Sequence, residues 1–276
     1  MKSPRPHDSS LQQKAYQFIQ QRILSGRLPG GSLISEVSLA REIGVSRTPV
    51  REAIGQLVAE GFLERVAGRG AAVVQLGRDD LIELYELREA LEVYAVGKVA
   101  RQGPQPADFA AAEEACEQIR QMAAVLESSG RPRLDDSEMQ NFLATDLRFH
   151  MLLLRMAGNR RLMKVVGDSR LLIRIFSYRR EGHDAAQLHG IYRYHREVLD
   201  AIGSGDAARA MQLLGEHIQL SKQERLQAYD RWEREHELKR MIALPQALLE
   251  RFNPAGIEPQ PEAPALRGHS KPRPRR

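Results

Sequence analysis

Apolar residues recur at helical spacing almost from the start of the chain, with Ala15, Phe18, Ile19 and Ile23 sharing one face. Gly26 and Pro29-Gly30-Gly31 end that run. A short second helix is expected after Ser35, with Leu39, Ala40 and Ile43 inward, and Gly44-Val45-Ser46 makes a tight turn. Ser46 is placed to cap a third helix whose inner face is Val50, Ile54, Leu57 and Val58. Pro49 falls in the first turn of that helix, where its missing amide hydrogen would have had no partner. After Gly61 the period shortens to about two. Residues 62–66 and 71–75 read as strands joined by Gly68-Arg69-Gly70. Three helices followed by a hairpin predict a winged helix-turn-helix over residues 11–76.

Beyond residue 76 the helical period returns, with segments near 79–101, 106–128, 137–157, 160–181, 185–203 and 206–240, and a further helix over 241–252. No strand-like alternation intervenes. The expected fold is therefore mainly α. An N-terminal winged helix-turn-helix precedes an all-α helical bundle over 77–240. Residues 1–10 carry Pro4 and Pro6, and residues 253–276 hold six prolines and end in Lys271-Pro272-Arg273-Pro274-Arg275-Arg276; both read as disordered.

Composition sharpens this picture in two places. The net charge of +5 divides as +1 on residues 1–10, +3 on 11–76, −2 on 77–252 and +3 on the tail, so the basic excess avoids the bundle. The tail is expected to add non-specific phosphate contacts. Cys116 is the single cysteine of the sequence, which excludes an internal disulfide framework and a Cys-rich zinc module and points to a reducing cytoplasm. No apolar run reaches the roughly 18–20 residues of a membrane helix, and no leader segment opens the chain, so no membrane partner is expected.

A helix-turn-helix sets its second helix in the DNA major groove. Here that helix opens Ser46-Arg47-Thr48-Pro49-Val50-Arg51, placing Arg47, Thr48 and Arg51 where they reach guanine edges or phosphates. Arg69, at the hairpin tip, is placed for the minor groove or the backbone. Any one of these arginines read alone is more readily a solvated surface charge; the constellation is not. The stretch Leu39 to Ala53, with Leu57, Glu60-Gly61-Phe62-Leu63 and Gly68-Arg69-Gly70, closely resembles the DNA-binding signature of GntR-family bacterial regulators. The resemblance implies DNA contacts at Arg47, Thr48 and Arg51, with Gly70 as the wing-tip glycine. Val37 stands where the fatty-acid-regulator branch often has another arginine, and Arg41, one turn along, is a substitute contact. The run Asp79 to Glu92 resembles the opening helix of the ligand-binding (FCD) domain of the FadR-type subfamily.

Within the bundle, Asp146 and His150 lie four apart on a face flanked by Phe142, Leu143, Leu153 and Leu154. His195 shares a face with Ile191, Val198, Leu199 and Ile202, and His217 with Leu213, Leu214 and Leu220. Inward imidazoles and a carboxylate need partners or a metal. Three histidines and one aspartate suit a divalent transition metal, with zinc first and nickel, manganese or iron also fitting. A separately hydrogen-bonded core histidine is the plainer reading of each one alone, and spacing does not show that three helices converge. The resemblance implies that convergence: the Asp-x3-His pair, a later His-Arg and a final His 22 positions on are similar to the metal-binding branch of the family. By it Asp146, His150, His195 and His217 are the ligands. His183, His189 and His236 read as surface residues.

Arg88, on a face with Leu84, Tyr85 and Glu92, and Arg174 are candidates for binding an acidic effector; an Arg88–Glu92 ion pair is an equal reading of Arg88. The expected function is a DNA-binding transcriptional repressor, a homodimer on palindromic double-stranded operator DNA, modulated by a small organic acid near the metal. A metal-dependent enzyme and a direct metal sensor are the alternatives. The sequence lacks a glycine-rich phosphate loop and a nucleophile elbow, so it is not expected to be an enzyme.

Overall fold

Ala15, Ile19 and Ile23 are all fully buried, and the helix that carries them, α1, runs Pro6–Leu24. The computed structural model describes the backbone of residues 6–176 and 182–252, and the side chains of residues 10–174 and 182–235. Residues 6–10, expected as part of a disordered lead-in, are helical. Pro6 opens the helix, a position where proline's missing donor costs nothing. The rest of the lead-in and the basic tail, 253–276, lie outside the described residues.

The helix-turn-helix follows. Ser35 caps α2 (Glu36–Ile43) by accepting from the Ser38 amide, and Gly44, at φ +76°, closes it in the left-handed region. α3 (Arg47–Ala59) starts at Ser46 as expected, but the Ser46 side chain makes no capping bond. The wing contains β2 (Leu63–Val66) and β3 (Gly70–Val73), and Leu33–Ile34 adds a third strand, β1, on the far side of β3. A two-residue strand has no readable period; its pairing of Leu33 with Ala72 and Ile34 with Ala71 comes from β3. The head core is Ile19, Ile23, Ile54, Leu57 and Phe62, each almost wholly buried.

The bundle consists of α4 (Arg78–Gln102), α5 (Pro106–Ser129), α6 (Asp136–Met156), α7 (Arg160–Phe176), α8 (Ala185–Gly203) and α9 (Ala207–Phe252). These match the expected segments within a few residues, except that 241–252 belong to α9; no glycine or proline falls between Gly215 and Pro245 to end it. Residues 177–181, expected as the end of the fourth segment, lie outside the described residues. Tyr85, Phe149, Leu153, Val198, Leu199, Leu214 and Ile218 make the bundle core. A smaller cluster of Ile119, Leu126, Met139, Phe142 and Leu188 fills one end of α5, α6 and α8.

Contacts divide the chain into two units, 1–230 and 231–276; the head and most of the bundle share the first. Within it, α7 serves both cores. Val166 and Ile173 are buried in the bundle, while Leu171 and Leu172 pack against the head.

Two glycines separate backbone strain from packing. A methyl group on Gly44 or Gly55 would meet no atom within 4 Å, yet only Gly44 has a positive φ. Gly44→Ala should cost about 1–2 kcal/mol from its left-handed backbone. Gly55→Ala, inside α3, should gain up to about 1 kcal/mol from helix propensity. Urea unfolding of both variants checks the opposite signs.

Candidate metal centre and nucleic-acid interface

The four donors foreseen on three helices come together. α6 starts at a reciprocal cap, with Asp135 and Glu138 each accepting the other's amide at 2.9 Å, and its third and fourth turns present Asp146 and His150 inward. α8 brings His195 and α9 brings His217. His150, His195 and His217 are 1%, 0% and 6% exposed. His195 Nε2 lies 3.2 Å from His217 Nε2 and 3.6 Å from Asp146 Oδ1, and His150 Nε2 is 3.7 Å from the same oxygen. One donor atom from each of the four falls within 4.8 Å of the others.

These residues fit a divalent ion. Donors about 2.0–2.2 Å from zinc stand roughly 3–3.6 Å from one another in tetrahedral or octahedral arrangements. Without an ion the site is poorly satisfied: His150 Nε2 and His195 Nδ1 are buried with no hydrogen-bond partner, and His195 and His217 must share one proton. Glu92 Oε2 sits 2.9 Å from His150 Nδ1, close enough to pair but too poorly aligned for a formed hydrogen bond, and favours the tautomer that leaves Nε2 as the donor atom. Phe149 stacks on the His195 ring at 3.8 Å and 8°.

Burial pushes all three imidazoles down, His217 to about 3. Burial alone would raise the Asp146 carboxyl. The surrounding cationic groups, His150 and His195 when protonated and Arg170, outweigh it and hold Asp146 below the usual carboxylate range. Glu92 behaves alike: desolvation is outweighed by Arg170 and Arg88.

Both readings of Arg88 meet here. Its Nε donates to Glu92 Oε1 at 2.9 Å, 4% of the residue is exposed, and it also lines a cavity of about 390 Å³ beside Asp146 and His217. Arg170, which the sequence did not single out, donates to both Glu92 oxygens at 2.9 and 2.6 Å and lies 3.5 Å from Asp146 Oδ2. Arg174 reaches the same cavity and donates to Gln140 at 2.5 Å. His183 corrects an expectation. It is 5% exposed, stands edge-on to Phe142 and lines the cavity, because its carbonyl accepts from the Leu134 amide and draws the segment inward. His189 is exposed and pairs with Glu127 at 3.0 Å, as expected of a surface residue; the side chain of His236 lies outside the described residues.

In the head, Arg41, Arg47, Thr48, Arg51 and Arg69 are all exposed. Arg47 and Arg51 both reach Glu36 at 3.2 Å, and Arg51 first, then Arg47, lowers the Glu36 carboxyl. Arg69 stands between Gly68 at φ +70° and Gly70 at φ +94°, so the wing tip needs both glycines.

Two family descriptions match the chain: "Bacterial regulatory proteins, gntR family" over residues 11–73 and "FCD domain" over 83–220. The "Probable D-xylose utilization operon transcriptional repressor" of Paenarthrobacter nicotinovorans is 32% identical over 201 residues, 73% of this chain and 82% of that one. The chain belongs to the GntR family. This GntR regulator is also 27% identical to the "Uncharacterized HTH-type transcriptional regulator YdhC" of Bacillus subtilis (strain 168), over 74% of this chain and 85% of that one. Its fold matches E. coli McbR/YncC with a TM-score of 0.65 at 23% identity, covering 83% and 100% of the two chains. The regulator is thus a DNA-binding transcription factor and not an enzyme. Among the described residues no helix is long and apolar enough to cross a membrane.

Chelator-treated protein should lose thermal stability as pH falls from 7 towards 4. The folded state holds His150, His195 and His217 below the unfolded value, so the unfolded chain binds more protons in that window. The stability is complete above about pH 6.5 and declines below it, by up to about 1.4 kcal/mol per pH unit for each histidine. Melting curves at stepped pH check this; a flat profile would contradict it.

Proposed function

We propose that this GntR regulator is a repressor whose operator binding is released by a small organic acid bound at a divalent metal, zinc before nickel, manganese or iron. Asp146, His150, His195 and His217 would hold the ion. Bound there, it would supply a Lewis-acidic anchor for a carboxylate. The observation that carries the reading is the convergence of these four donors beside a cavity that Asp146, His217, Arg88 and Arg174 line together. Coordination by four protein groups leaves positions for an acid, and the arginines complement its charge.

The DNA end follows from the head. A homodimer would place two copies of α3 on the halves of a palindromic operator, with Arg47, Thr48 and Arg51 in the major groove, Arg69 and Gly70 at the wing, and Arg41 against the backbone. In the DNA-free chain Glu36 holds Arg47 and Arg51, so bases and phosphates compete with one carboxylate for both. An effector changes operator binding only if it prefers one arrangement of the molecule over the other. α7 is suited to carry that preference, since Arg170 and Arg174 face the cavity while Leu171 and Leu172 pack on the head. The relative named for D-xylose utilisation makes sugar acids the first compounds to screen. The place of action is the cytoplasm.

Metal analysis combined with operator-binding anisotropy tests the reading. About one divalent ion per chain is expected, lost in His195→Ala and His217→Ala, together with release of DNA by the acid. Arg51→Ala should weaken operator binding roughly 5- to 150-fold while leaving the ion in place. Unchanged metal content in both histidine variants would contradict the proposal.

A further inference from the structure

Arg225 stands out among the charged groups of the cavity wall. Only 8% of the residue is exposed, it lines the cavity, and its Nε and Nη1 have no hydrogen-bond partner. The Tyr85 hydroxyl is within hydrogen-bonding reach of its guanidinium and also meets Ser221 Oγ at 3.0 Å. The other arginines of the wall have acceptors. Arg88 and Arg170 share Glu92, and Arg174 donates to Gln140. The carboxylates of the wall are engaged as well. Asp146 faces the histidines and Arg170, Asp184 caps α8 by accepting from the Gln187 amide, and Glu224 bonds to the Gln187 side chain. A buried guanidinium with unused donors is costly unless an anion completes it.

The position of Arg225 sets the shape of that anion. It lies eight residues beyond His217 on α9, about 12 Å along the helix axis. Leu220, Ser221 and Glu224, between them in sequence, line the same cavity. The wall therefore offers two anion-receiving ends, the Asp/His centre and Arg225, with hydroxyls of Tyr85 and Ser221 beside the second. Arg225 also lies past residue 220, where the FCD match ends, so it is a feature of this chain beyond the matched domain.

We propose that the cavity takes a dicarboxylate, one carboxylate at the metal centre and the other on Arg225. The proposal rests on the acid-sensing reading above and adds the ligand class and the residue that selects it. A monoacid fills the first end and leaves the guanidinium bare.

Calorimetry on the full, metal-loaded chain tests this with chain-matched pairs: succinate against butyrate, glutarate against valerate, adipate against hexanoate. Wild type should bind the best-fitting diacid at least about tenfold more tightly than its monoacid partner. Arg225→Met and Arg225→Gln should abolish that preference while monoacid binding and metal content stay unchanged. Both ligand-free variants should melt no lower than wild type, since they remove a buried charge that has two donors without acceptors and meets only the neutral Tyr85 hydroxyl among the described residues. A preference that survives in both variants, or is absent from wild type that binds monoacids, overturns this proposal alone. Variants that both melt well below wild type give Arg225 a structural role beyond its contact with Tyr85 and overturn it too. Wild type that binds neither series but binds a sugar monoacid overturns this proposal alone, and wild type that binds none of these acids overturns it together with the acid-sensing reading.

Discussion

The arrangement of the bundle depends on one buried carboxylate. Glu92 is 1% exposed, and a bare charge at that depth would be strongly unfavourable. It persists because α4, α6 and α7 each bring a partner: Arg88 at 2.9 Å, His150 at 2.9 Å, and Arg170 with two bonds. The consequences run outward from there. The His150 ring is turned with Nε2 toward Asp146, Arg170 is held beside Asp146, and Arg88 is fixed in the cavity wall over the Tyr85 ring at 4.7 Å. Removing one member of such a buried cluster costs roughly 3–5 kcal/mol, because the others remain charged and unpaired. The cluster therefore fixes geometry first and adds net stability second.

The same logic governs the head with the opposite solvation. Glu36 pairs with Arg47 and Arg51, but both arginine side chains are 59% exposed, so the pairing is screened and weak. A contact of that kind orders Arg47 and Arg51 without holding them tightly. The deep cluster is held rigidly and the shallow one exchanges readily with solvent. α7 borders both regions, with Arg170 on Glu92 and Leu171 and Leu172 on the head core.

Most of the fold was legible in the sequence because it is helical and amphipathic. The face Ala15, Ile19, Ile23 and the face Val50, Ile54, Leu57 read directly as core. β1 did not, since two residues carry no period and their strand exists through β3. The four metal-centre candidates were legible as inward residues on separate helices; their meeting depends on packing that spacing does not encode, and only the family resemblance anticipated it. Arg170 and Arg225 went unnoticed because a helical arginine is ordinarily solvated and their surroundings come from other helices. His183 was misread for a related reason: Gly182 and Asp184 beside it are a polar context, while its burial comes from Leu134 and Phe142 far away in the chain. Long-range contacts thus account for the missed residues in the bundle.

Anomalous diffraction from crystals of the protein, with data on both sides of the absorption edge of the ion that elemental analysis finds, tests the central claim most directly. One strong peak is expected between Asp146, His150, His195 and His217, at about 2.0–2.2 Å from each donor atom. A map without density at that point, with His195 and His217 hydrogen-bonded directly to each other, would contradict it.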